Sequence, residues 1–117
     1  MIAPLLEALR EKDPATWQRF DELELATYKQ YDDFGATENY IYQEDLIEPA
    51  CLAWMQAVLQ EACQARGWAY QVSASFQGTH YGKIVKKNAD ESKTFLPDAA
   101  GDSPAEALLR CYLGAIG

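Results

Sequence analysis

Carboxylates and tyrosines interleave over residues 21–48 more densely than elsewhere, so chemistry is first to be sought there. Asp21, Glu22, Glu24, Asp32, Asp33, Glu38, Glu44, Asp45 and Glu48 stand against Lys29 alone, so this window carries the whole net charge of −8. Among them lie Tyr28, Tyr31, Phe34, Tyr40 and Tyr42. Tyrosine gives large contact area at low entropic cost and keeps a hydroxyl that tolerates water. A surface of one sign repels phosphate and attracts basic proteins. Tyr28, Tyr31, Asp32, Asp33, Phe34, Glu38, Tyr40, Tyr42, Glu44 and Asp45 are therefore the candidate partner-binding set. The plainer alternative is aromatic satellite core under a solvated acidic rim. Direct nucleic-acid binding through this half is disfavoured.

Other groups offer less. Asp32 with Asp33, or Glu44, Asp45 and Glu48 at helical spacing, have the chemistry to hold a divalent ion for phosphoester hydrolysis, but no second signature accompanies them, and no metal site is assigned. His80 is the only histidine, so paired acid–base catalysis would rest on it with Ser73, Ser75 or Tyr81; no catalytic residue is assigned. Lys83, Lys86, Lys87 and Lys93 form the one basic stretch. With Trp68 and Tyr81, the residues Lys83, Lys86 and Lys87 make an alternative ligand-binding set, an anion-plus-stacking pocket for a nucleotide; edge lysines that discourage strand pairing are the plain reading. Cys51, Cys63 and Cys111 form no CxxC pair and fall at apolar helical positions, as small core residues do in a reducing compartment.

The elements that must position these groups follow from periodicity. Hydrophobic residues at 49% and charged residues at 24% of 117 describe one folded domain. No apolar run reaches the length of a membrane span and the start has no signal-peptide pattern, so an intracellular, cytoplasmic protein is expected. Ile2, Leu5, Leu6 and Leu9 predict a short helix stopping before Asp13-Pro14, and a second helix starts at Pro14, with Trp17, Phe20, Glu24, Thr27, Tyr28 and Tyr31 on or near one side. Residues 32–35 read as a turn, and residues 36–43 as a short strand or an irregular approach. From Pro49, the residues Cys51, Leu52, Met55, Val58, Leu59 and Ala62 make a helical stripe that Gly67 ends. Trp68, Tyr70, Val72, Ala74 and Phe76 then alternate with polar residues as a half-buried strand.

Gly78-Thr79 suggests a hairpin turn, residues 81–87 a second strand, residues 88–92 another turn, and Thr94, Phe95 and Leu96 a third strand ended by Pro97, before a loop over 98–102. Ser103-Pro104-Ala105-Glu106 has the pattern of a capping box and opens a helix bearing Leu108, Leu109, Tyr112, Leu113 and Ile116. The expected fold class is α+β: a two-layer core of helix, three-stranded antiparallel meander and C-terminal helix over residues 48–117, with an N-terminal helical and acidic elaboration over residues 1–47 of a single domain, 1–117.

The order helix, meander, helix is shared with double-stranded RNA-binding domains, and Gly78-Thr79-His80 resembles their turn. Those domains open the last helix with lysines, where this chain has Ser103, Pro104, Ala105 and Glu106, which excludes that mode of binding. Residues 49–66, the aromatic strand over 68–77, and Ser103-Pro104-Ala105-Glu106-Ala107-Leu108-Leu109 resemble the pieces of the phage ABA sandwich family, over about the last 70 residues. That resemblance implies a phage or prophage origin and brings no activity with it. The expectation is a non-enzymatic, cofactor-free interaction protein that binds and inhibits a host protein with a basic surface, with no direct nucleic-acid partner and no membrane, a homodimer being left open. A nucleotide-binding sponge is the alternative, and a metal-dependent hydrolase the third choice.

Overall fold

The computed structural model describes residues 2–21, 27–31, 38–42 and 49–117, with side chains at 2, 4–20 and 52–117. The elements run α1 (Ala3–Lys12), α2 (Pro14–Asp21), β1 (Thr27–Tyr31), β2 (Glu38–Tyr42), α3 (Pro49–Ala65), β3 (Ala69–Ala74), β4 (His80–Lys87), β5 (Lys93–Phe95), β6 (Ala99–Gly101) and α4 (Pro104–Ile116). This is the expected α+β class: an antiparallel meander, β3-β4-β5, between two helices, with a helical N-terminal extension. Gly67, at φ 73°, follows α3 as a left-handed terminator. Met55, Val58, Leu59 and Cys63 are the buried positions of α3.

Three expectations are corrected. The second helix ends at Asp21, and Thr27, Tyr28 and Tyr31 belong to a strand that pairs antiparallel with β2. β-branched and aromatic side chains lose rotamer freedom in a helix and suit a pleated ribbon. β3 stops at Ala74, and Phe76 sits fully exposed in the following turn. There the Ser75 hydroxyl accepts the Gln77 and Thr79 N–H groups at 3.3 and 3.2 Å, a local turn that replaces the ladder. Finally, β5 ends at Phe95, ahead of Pro97 as expected, but residues 99–101 form a further strand, β6, in place of the expected loop over 98–102. Pairing to β4 resumes as His80↔Gly101, Tyr81↔Ala100 and Gly82↔Ala99. Between β5 and β6, Leu96, Pro97 and Asp98 stand opposite Ile84 and Lys83, one residue too many. That is a bulge on an edge strand, where a residue without an N–H is tolerated.

The centre of the molecule is α4, of whose thirteen residues nine are buried. It lies on β4, β6 and β3; α3 runs beside it and touches β3, α1 packs on its other flank, and α2 rests on α1 and α3. Leu6, Leu9, Phe20, Met55, Leu59, Ile84, Leu108, Leu109 and Tyr112 form one contiguous core. Ser103 caps α4, its hydroxyl accepting the Glu106 N–H at 3.1 Å. The return contact differs from a standard capping box, because the Glu106 carboxylate accepts the N–H of Asp102 at 2.9 Å and also binds Arg110 at 3.0 Å.

Two glycines set how closely α4 approaches the sheet. A Cβ at Gly82 would lie 2.7 Å from the Ala107 carbonyl oxygen, and one at Gly101 would lie 2.6 Å from the Ala107 nitrogen. Backbone therefore rests on backbone. Gly82→Ala or Gly101→Ala should each destabilise the protein by about 1–3 kcal/mol, the usual cost of overpacking. Gly114→Ala, within α4 itself and with nothing within 4 Å of its added methyl, should stabilise it by about 0.5–1 kcal/mol. Urea midpoints of the three variants check both signs.

Candidate functional site

Antiparallel pairing builds a two-stranded ribbon from the middle of the acidic window. Its register sets Thr27 opposite Tyr42, Tyr28 opposite Ile41, Lys29 opposite Tyr40 and Tyr31 opposite Glu38. Positions alternate between faces along a strand, so 31, 38, 40 and 42 share one face and 28 takes the other. Five members of the partner-binding set, Tyr28, Tyr31, Glu38, Tyr40 and Tyr42, are thus brought onto one ribbon. Asp32, Asp33, Phe34, Glu44 and Asp45 lie outside the described residues, as does Glu48, so the carboxylate groups considered for a metal do too. Among the described residues no cluster of three His, Cys, Asp or Glu side chains could hold an ion.

The alternative ligand-binding set is divided by the sheet. Gly82, Ile84 and Lys86 share the β4 face turned to α4, whereas Tyr81, Lys83, Val85 and Lys87 share the opposite one. Trp68 packs against the core on the α4 side. Within one chain these five residues therefore do not line one pocket. The alternation of β4 already separates Lys86 from Lys83 and Lys87, and that parity was the signal to use.

Trp68 and Lys86 do meet, in a cluster that closes the base of the core. The Lys86 ammonium lies 4.7 Å from the centre of the Trp68 ring and donates to the Ala115 carbonyl in the last turn of α4. The Arg66 guanidinium lies 5.2 Å from the Trp68 ring centre and 5.8 Å from that of Tyr112. The Tyr112 hydroxyl, ninety-nine residues along the chain, donates to Asp13, which also accepts from the Thr16 hydroxyl at 2.7 Å and faces Arg66 at 3.7 Å. Burial pushes the Asp13 carboxyl up, but the bonds from Tyr112 and Thr16, with Arg66, outweigh it and hold the group below the ordinary carboxylate range. Burial and the neighbouring carboxylate move the Tyr112 phenol the other way, up. The charge stays on Asp13 and the proton on Tyr112. Sequence reasoning read Asp13 as a helix breaker and Tyr112 as apolar stripe, with no local signal that they meet.

The two described thiols, Cys63 and Cys111, are buried and not activated as nucleophiles. Burial, helped by Cys111 and opposed by Arg66, pushes the Cys63 thiol up to about 11, and burial raises Cys111 as well. A small open groove of about 240 Å³ lies between the first turns of α3 and α4, lined by Leu52, Ala53, Gln56, Ser103, Pro104 and Ala105, with no titratable group. His80 pairs with Ala74 at the end of β4, half-buried.

The outer face of the sheet is open. On it lie Ala69, Gln71 and Ser73 of β3, Tyr81, Lys83, Val85 and Lys87 of β4, Lys93 and Phe95 of β5, and Ala100 of β6. Phe95 is 67% exposed and Tyr81 38%. Phe95 and Lys93 were not assigned to a site from sequence, because the third strand gives too short a run to show which residues share the face.

No protein-family model matches the chain, no curated protein is significantly similar to it, and no solved structure matches it significantly. No helix among the described residues is long and apolar enough to cross a membrane.

Two expectations follow from these groups. The depressed Asp13 carboxyl contributes stability that is complete above its unfolded pKa, about 4, and is lost as pH falls through its lower folded value. Asp13→Asn should therefore cost about 2 kcal/mol at pH 7 and flatten the fall in melting temperature between about pH 5 and pH 2. Mass-resolved labelling with a maleimide at neutral pH should leave Cys63 and Cys111 unmodified in the folded protein and modify both in urea.

Proposed function

We propose that this chain is a non-enzymatic interaction protein that uses its tyrosine-bearing ribbon, together with the acidic segment 21–48 in which that ribbon lies, to bind and block a protein with a basic surface. The observation that supports this reading is the coincidence of charge and ribbon. The window 21–48 holds all of the net −8, the remaining eighty-nine residues are balanced, and β1 with β2 groups four of the seven tyrosines within it. Acids kept only for solubility would be spread over the whole surface. Collected on one segment, they steer encounter with a cationic groove, while tyrosines supply the contact that holds. Proteins that handle nucleic acids have such grooves. With the resemblance to the phage ABA sandwich family, a bacterial host protein of that kind, in the host cytoplasm, is the partner this reading favours.

Affinity capture from a bacterial host lysate, followed by titration of the protein retained, tests the reading. A basic protein should be held at about 50 mM salt and shed at about 500 mM, where screening is strong. Asp32→Lys, Asp33→Lys and Glu38→Lys combined should weaken its affinity by about a hundredfold with the melting temperature of the free domain unchanged. An affinity indifferent to both salt and charge reversal overturns the reading.

A further inference from the structure

The outer face of the sheet combines exposed aromatic rings with three lysines, Lys83, Lys87 and Lys93. Lys87 stands directly opposite Lys93 in the β4–β5 ladder, a like-charge pair that costs stability, and no ion pair joins either to another of the described residues. Lys83, on the same face, meets Asp98 at 3.8 Å with both side chains about half exposed. Tyr81 lies four residues from Val85, whose cross-strand neighbour is Phe95, so the two rings are roughly 13 Å apart along the strand. Lys83 falls between them, and Lys87 and Lys93 lie just beyond Phe95. The neighbours of the rings are short: Ser73 and Ala100 flank Tyr81, and Ala69 stands next to Val85. Among the described residues, the cross-strand neighbours of Tyr81 are too short to cover its ring.

We propose that this face is a stacking platform for single-stranded nucleic acid, with bases resting on Tyr81 and Phe95 and phosphates drawn to Lys83, Lys87 and Lys93. Flatness decides against a free nucleotide, because a small ligand needs a concave site to bury most of its surface. A polymer gains by adding weak contacts along a shallow track. An acidic peptide would satisfy the lysines but leave the rings without planar partners. The expectation of no nucleic-acid partner came from the acidic window, and it does not extend to this face, which lies in the charge-balanced remainder of the chain. None of its residues belongs to the ribbon, so the two proposals stand or fall separately.

Fluorescence anisotropy of a labelled fifteen-nucleotide oligothymidylate at about 50 mM salt, with the intact chain, provides the test. Binding should weaken with salt with a logarithmic slope of about −2, as three phosphate contacts on a single strand require. Tyr81→Ala and Phe95→Ala should each reduce affinity by about five- to a hundredfold, and Lys87→Ala should reduce the slope by roughly one contact. All three sites are exposed, and thermal melts verify folding. Absence of binding overturns the proposal, as does an affinity unmoved by loss of either ring. Equal competition by polyglutamate overturns it as well, since charge alone would then explain the binding.

Discussion

The seating of α4 on the sheet is the contact on which the rest of the fold depends. Ala107 lies against Gly82 on one strand and Gly101 on another, so the helix axis is brought closer to the sheet than any pair of side chains would allow. A helix so close buries its near face on backbone, and its remaining sides are free to be covered by others. α3 and α1 also pack on it, which is why buried residues such as Ala107, Leu108 and Leu113 occupy most of its circumference, leaving Arg110 and Gly114 on the exposed side. The bulge at Pro97 belongs to the same device, since it restores pairing at Ala99 and brings Gly101 under the first turn of α4.

Burying a helix completely leaves its ends as the difficulty, because the terminal N–H and carbonyl groups have no partners within it. At the start, Ser103 and Glu106 answer this, and Arg110 balances the buried carboxylate. Burial raises the Glu106 carboxyl, yet the Asp102 N–H and Arg110 among its partners bring it below its ordinary value, so it stays ionised. At the far end Lys86 binds the Ala115 carbonyl while lying over Trp68, and Tyr112 anchors Asp13 at the corner between α1 and α2. Charged groups held in this way are fixed by geometry, and losing one partner strands the other. Lys86, Arg66 and Trp68 are thereby committed to the scaffold, even though as isolated letters they resemble a ligand site.

Much of this was legible before any coordinates. The limits of α3 came from Pro49, its apolar stripe and Gly67, and the start of α4 from the serine and glutamate of its cap, because both kinds of signal act over a few residues. What was not legible acts at a distance. Gly82 and Gly101 look like ordinary strand glycines until a helix is laid on them, and Asp13 looks like a breaker until Tyr112 arrives. Thr27, Tyr28 and Tyr31 fit a helical face by spacing and a strand by type, and only their pairing with residues 38–42 decides. For the sites, alternation in β4 was enough to divide the lysines between two faces. Phe95 needed the register with Val85, which no spacing within a three-residue strand reveals.

The chain separates its charge, and that separation bears on how two surfaces can work in one small protein. Half of the acids, nine of eighteen, lie in residues 21–48, while Lys83, Lys87 and Lys93 share the outer sheet face. A polyanion approaching this protein meets repulsion from the first and attraction from the second, so its orientation is restricted before contact; a basic protein meets the reverse field. Both interactions are screened over about 8 Å at physiological salt, so their strength depends on how far the ribbon lies from the sheet face. On the two proposals above, partners of opposite charge would thus be directed to different surfaces. The same physics sets the limit: when the proteins are crowded at low salt, the ribbon of one chain and the lysine face of another attract each other, and self-association competes with both partners.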